Sequence, residues 1–190
     1  AEIGPVTATG RDEIDAKGRI ITPGFVDVHT HYDAQVTWAQ QIVPSSCNGV
    51  TTVLMGNCGV TFAPVRSKDR GLLAGMMESV EDIPRQAIID GLPWNWNSFG
   101  EYLDAIEALD PALNVAALAG HAATRFYVMG ERAVEEKATP EEVKAWQNGG
   151  DYFMTGKFDA MKLFVVVPAV IQIVVFFMML GVMAINEYIF

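Results

Sequence analysis

Ile21-Thr-Pro-Gly-Phe-Val-Asp-Val-His-Thr-His-Tyr-Asp33 is the stretch on which the fold turns. Behind the Pro23-Gly24 break, Phe25 to His31 is rich in β-type residues and reads as a short buried strand. His29 and His31 are two apart on it, so both imidazoles project to the same side and can share one ion. A bare His-x-His pattern is weak on its own. Following a buried strand, it falls at the strand's C-terminal end, where parallel α/β proteins gather their active sites. Asp27 and Asp33 flank the pair, and either carboxylate can orient an imidazole by accepting its second N–H.

Outward from this stretch the same pattern recurs. Val50 to Met55 reads as a second strand, followed by Gly56-Asn57-Cys58-Gly59, where the glycines let the backbone turn sharply and present the thiol at the strand's end. Asn114 to Ala119 reads as a third, closed by Gly120-His121, and Gly18 to Ile21 as a short strand before the first. Helical patterns fall around Leu72 to Ser79, Ser98 to Leu109 and Pro140 to Gln147. Strands alternating with helices predict βαβ units on a parallel sheet, an α/β fold. Thr139 with Glu142, and Pro140 between them, form a capping box that starts the last helix. Pro93-Trp94-Asn95-Trp96 reads as a loop whose indoles lie on the sheet surface or at a pocket mouth. Three successive strands thus bring a donor to one rim. Imidazole with thiolate suits zinc better than magnesium or calcium, with an open position for an activated water. Alone, Cys58 would be read as an inert thiol and His121 as a hydrogen-bonded loop histidine.

The bulk numbers bound the alternatives. A chain of 190 residues holds one sizeable domain, and its formal net charge of −10 leaves no basic footprint for nucleic acid. Two cysteines, Cys47 and Cys58, are too few for a disulfide framework. No charged-then-apolar segment opens the sequence, so no signal peptide is read.

The last quarter belongs to a different solvent. Leu163 to Ile185 reads LFVVVPAVIQIVVFFMMLGVMAI, with no ionisable group, and Gln172 as its one strongly polar side chain. As a helix it would span about 35 Å, enough for a hydrocarbon core of about 30 Å. Pro168 sits near its start, where a missing N–H costs least, and Gly181 gives a neighbouring helix room to approach. Lys157 and Lys162 precede the run and only Glu187 follows it, so the positive-inside bias puts the N-terminal region in the cytoplasm. The span has no His, Cys, Asp or Glu, and so no ligand for haem, pigment or a transported ion. Membrane lipid is its expected partner.

Several motifs in order then point to a family. The opening stretch resembles the first barrel strand of the amidohydrolase superfamily, and Pro44-Ser-Ser-Cys-Asn-Gly-Val-Thr-Thr-Val-Leu-Met-Gly-Asn-Cys-Gly-Val60 looks like its N-acyl-D-amino-acid deacylase branch, the D-aminoacylases. Phe62-Ala-Pro-Val65, Val80-Glu-Asp-Ile-Pro84, Gly91-Leu-Pro-Trp-Asn-Trp96 and Tyr127-Val-Met-Gly-Glu-Arg132 agree. The resemblance implies a zinc hydrolase that cleaves N-acyl-D-amino acids, with His29, His31 and Cys58 as metal ligands; Asp27, Asp33 and His121 are candidates for a place beside the metal or substrate on their positions alone. It also implies two further metal histidines and a catalytic aspartate on later barrel strands. A closed barrel needs eight βα units in about 250 residues, and about three precede the apolar run.

The expected organisation follows. Residues 1–24 are a remnant of a small β-domain, 25–148 a partial TIM-barrel-like α/β region, 149–162 a linker, 163–185 one C-terminal transmembrane helix and 186–190 a short tail. The first functional expectation is a single-pass accessory subunit of a cytoplasmic-membrane complex, packing against larger membrane subunits or a second copy. The alternative is a zinc-dependent amidohydrolase whose missing ligands come from a partner chain.

Overall fold

In the computed structural model, residues 10–148 are described. Three strands, β1 (Phe25–Asp27), β2 (Val50–Met55) and β3 (Asn114–Ala117), form one parallel sheet in the order β1-β2-β3. Val26 stands opposite Thr52, and Val53 opposite Val115. Chain order equals spatial order, as expected when each strand is laid beside the last by one crossover.

Five α-helices accompany the sheet: α1 (Arg70–Glu81), α2 (Arg85–Gly91), α3 (Phe99–Ala108), α4 (His121–Met129) and α5 (Pro140–Asn148). The expected patterns at Leu72 to Ser79, Ser98 to Leu109 and Pro140 to Gln147 correspond to α1, α3 and α5. The capping box forms at α5, with the Thr139 amide donating to Glu142 Oε2 and the Glu142 amide to Thr139 Oγ1. A second box, on Ser98 and Glu101, starts α3. The short helix α2 and helix α4 are additions to the sequence pattern. In α2 only Ile88 is buried, and in α4 the small residues Ala123 and Thr124 precede the buried Phe126 and Met129, so the large apolar residues cover only its second half.

Two expectations about strands are corrected. Gly18 to Ile21 is no strand: Lys17 and Gly18 turn at φ 49° and 77°, no described strand lies alongside, and Ile20 is 90% exposed. The first strand stops at Asp27, so His29 and His31 sit on the loop that leaves it. The β1-to-β2 connection contains only two short 3-10 turns, at Gln35–Thr37 and Ser46–Asn48, and no α-helix.

The core lies between the helices and the face of the sheet carrying Val53, Met55 and Ala117. Trp94 and Trp96 belong to this core rather than to a surface, because the loop folds inward far enough for Trp96 Nε1 to donate to Phe62 O at 2.8 Å and Trp94 Nε1 to Ile89 O at 3.0 Å. Trp96 packs against Tyr102 of α3, with ring centroids 4.9 Å apart. Each fully buried side chain of this size is worth about 1.5–3 kcal/mol. Helix α1 carries Gly71 and Gly75 one turn apart, each costing roughly 1 kcal/mol relative to alanine. The room they leave is taken by Arg85, whose Nη2 lies 2.6 Å from where a Gly71 Cβ would stand.

No helix among the described residues is long and apolar enough to cross a membrane. The expected span, with Leu163, Pro168, Gln172, Gly181 and Ile185, lies outside the described residues.

Candidate metal centre

The end of β2 governs the geometry. Gly56 turns at φ 79° and Gly59 at φ 77°, and Cys58 between them takes φ 56°, a left-handed conformation that side chains other than glycine adopt at a cost of about 1–2 kcal/mol. A Cβ at Gly56 would lie 2.2 Å from Leu118 O, so only glycine admits this approach of the β2 and β3 loops. The turn throws the Cys58 sulfur outward over the loop after β1.

That loop is pinned to the end of β2. Thr30 donates its amide and its hydroxyl to Leu54 O at 3.0 and 2.9 Å. Asn57 Nδ2 donates to Leu54 O at 2.8 Å and to Thr30 O at 3.3 Å. The Gly56 amide donates to Asp33 Oδ2 at 3.0 Å, and Tyr102 Oη donates to Asp33 O at 2.7 Å. These bonds hold residues 29–33 in place, and no spacing in the sequence signals any of them.

On this scaffold one ligand atom from each of His29, His31 and Cys58 falls within 4.8 Å of the others. Cys58 Sγ stands 3.5 Å from His29 Nε2. Nitrogen and sulfur bound to one tetrahedral zinc lie about 3.5 Å apart, so this pair is already at ligand spacing. His31 Nδ1 is buried without a hydrogen-bond partner, the state of a nitrogen that lacks its acceptor or its cation. Two imidazoles, one of them with an orphaned buried nitrogen, and a thiol fit a zinc-type ion.

Burial lowers the His31 pKa, opposed by Glu81 and assisted by His29. It raises the Cys58 thiol, with Glu81 adding to the rise. A dication between these donors would favour neutral imidazole and thiolate. Glu81 ends α1, and its field reaches both ligand loops. In the sequence it stands out only as part of the Val80 to Pro84 motif.

The remaining expected residues lie differently. Asp27 Oδ1 accepts the backbone amide of His29 at 3.2 Å rather than an imidazole N–H. Asp33 is fully buried, its Oδ2 on the Gly56 amide and its Oδ1 without a hydrogen-bond partner, so it braces the loop instead of facing a ring. Burial pushes its carboxyl up to about 7, against the pull of the Gly56 amide. His121 does not close β3, which ends at Ala117. It is the first residue of α4, behind an extended Gly120 pressed against Gly59. Its side chain lines a groove between α1 and α4 and is not among the three clustered donors.

Comparison with known proteins gives a consistent picture. The amidohydrolase family pattern matches residues 12–164. An uncharacterized protein of Mycobacterium tuberculosis is 39% identical over 145 residues, covering 74% of this chain and 23% of that protein. The D-aminoacylase of Alcaligenes xylosoxydans xylosoxydans is 32% identical over 149 residues, covering 78% of this chain and 28% of the enzyme. A solved D-aminoacylase described as having a binuclear metal centre superposes with a TM-score of 0.51 at 32% identity, over 65% of this chain and 23% of that one. The N-acyl-D-glutamate deacylase of Bordetella bronchiseptica, solved with zinc and a phosphonate inhibitor, gives 0.50 at 31% identity, over 66% and 23%. The chain spans about a quarter of the length of these relatives.

Proposed function

Since the chain belongs to the amidohydrolase family, we propose that it carries one corner of a zinc-dependent hydrolase that cleaves the amide bond of N-acyl-D-amino acids. The observation that carries this reading is the convergence of His29, His31 and Cys58, three donors from two consecutive strand ends, within 4.8 Å. These residues would hold the metal, which supplies Lewis-acid polarisation of the scissile carbonyl and a hydrolytic water of lowered pKa. The chain's own part is positional. Thr30 and Asn57 hold the histidine loop on β2, the Gly56–Gly59 turn aims the thiol, and buried Asp33 ties the two together. The further histidines and the catalytic aspartate implied by the resemblance have no place in this cluster. They would come from a partner chain or from additional barrel units, so turnover by the 190 residues alone is not expected.

The test is zinc per chain, measured by plasma mass spectrometry on the full chain after equilibration with buffered zinc. One zinc per chain is expected, falling at least tenfold in affinity in His31→Ala and Cys58→Ser. A wild-type chain that binds no more zinc than a chain carrying both His31→Ala and Cys58→Ser would sink the proposal. Hydrolysis of N-acetyl-D-amino acids is then assayed with and without the co-purifying chains, and is expected only with them.

The apolar run 163–185 favours a second, compatible role: a single-pass anchor in the cytoplasmic membrane, with the N-terminal region in the cytoplasm, through which the chain joins larger membrane subunits or a second copy. Alkaline carbonate extraction of membranes tests it. Retention in the pellet is expected, and release into the supernatant would defeat the anchor.

A further inference from the structure

A groove of about 460 Å³ runs between α1 and α4, lined by none of the three clustered donors and within the size range of small-molecule sites. Its ionisable lining groups are Arg85, Arg125 and His121, with no Asp or Glu among them. In a chain of net charge −10 this is an inversion of the surface as a whole. Arg85 is seated by the chain's own design, over the space that Gly71 and Gly75 leave on α1. Arg125 is held from the other wall by the carbonyls of Ala133 and Glu136, neutral acceptors that leave its positive charge uncancelled. Of the acidic neighbours, Glu78 accepts the backbone amide of Arg85 and makes no ion pair with its guanidinium, and Glu136 pairs with Arg132. Among the described residues neither Arg85 nor Arg125 forms an ion pair. The rest of the wall is apolar, chiefly Leu72, Met76, Phe126 and Val134.

We propose that this groove binds an amphiphilic carboxylate, its anionic head between Arg85 and Arg125 and its apolar tail along Leu72, Met76 and Phe126. The planar guanidinium of Arg85 suits a carboxylate through paired N–H donors, Arg125 adds its charge and the N–H groups not committed to carbonyls, and the apolar wall selects against a free inorganic anion. The inference does not depend on hydrolase activity or on zinc.

The test is calorimetric titration of the full 190-residue chain in mild detergent, with a chelator present so that no metal can take the carboxylate. Hexanoate is the probe, and hexanamide and inorganic phosphate are the controls. Hexanoate is expected to bind one per chain, more weakly as salt is raised, and hexanamide and phosphate at least tenfold more weakly than hexanoate. Arg85→Gln removes the charge from an exposed side chain and should cost at least tenfold in affinity. Ser79→Glu brings a carboxylate into the groove and should cost as much, so the proposal does not hang on one variant. Hexanamide binding as tightly as hexanoate, phosphate binding as tightly, or both variants binding hexanoate like wild type would each overturn it.

Discussion

Asp33 carries the sharpest consequence at the scale of a residue. Its carboxyl is fully buried and titrates near 7 in the folded chain, against an ordinary 3.8. Below pH 4 the group is neutral whether folded or unfolded, and its contribution to stability is complete. Between about 4 and 7 the unfolded chain releases the proton while the folded chain keeps it, so stability falls as pH rises, by about 4 kcal/mol in all, and then levels. The Asp33→Asn variant would keep an oxygen for the Gly56 amide and lose the titration. Urea unfolding of wild type and Asp33→Asn across pH 3–9, with chelator present, should therefore give a stability difference that changes by about that amount through this window, wild type losing ground as pH rises. A flat difference curve would show that the carboxyl is hydrated in the folded state. The sequence places Asp33 two positions beyond His31, which makes it look like a partner for an imidazole. Its true contact, an amide 23 residues away, depends on how tightly two loops close, and spacing does not encode that.

At the scale of the element, the end of β2 and the start of α3 invite opposite kinds of test. Asn57 sits between two carbonyls, Leu54 O and Thr30 O, and Asn57→Ala leaves both without this donor in a buried place, a loss of about 1–3 kcal/mol. Because those bonds hold the histidine loop, zinc affinity should fall with stability, by roughly 10–100-fold, if metal binds as proposed. Ser98→Ala removes only a helix cap and should cost about 1 kcal/mol without touching zinc. Equal effects of the two variants on zinc affinity would refute the positioning role of Asn57. Elements whose signal is local are readable from the sequence: the Thr139–Glu142 box, the stripe of Leu73, Ala74 and Met77 in α1, the glycines around Cys58. Elements that depend on neighbours are not. Hydropathy overextends strand β1 because ladder pairing ends at Asp27 whatever the residues beyond it, and α4 escapes notice because its large buried residues, Phe126 and Met129, make too short a stripe to stand out.

At the scale of the molecule, the sheet formed by the described residues is open at both edges. Strands β1 and β3 each pair only with β2 among the described residues, and Phe25, Val26 and Val28 are 61%, 59% and 48% exposed on and just beyond β1. Exposed strand edges with apolar side chains are templates for further pairing. Residues 10–148 prepared alone should self-associate with concentration in sedimentation velocity, and Phe25→Lys with Val28→Lys should reduce it. A monodisperse wild-type fragment would contradict this. Family membership and the order of the strands are legible from motifs along the chain, since a parallel α/β unit repeats its punctuation. The completeness of the site is not, because a rim is built from every strand of a sheet and the chain spans about a quarter of its relatives.

The three clustered donors are also close along the chain, with His29 and Cys58 only 29 residues apart. The loop that must close to assemble them is short, and it lies wholly in the first third of the sequence. Loop-closure entropy grows only slowly with length, so the two ligand loops can meet early in folding, before Tyr102 and Leu118 arrive to fix them. If metal binds as proposed, it would find its three donors before those later contacts lock the turn, and binding would favour the closing of this corner.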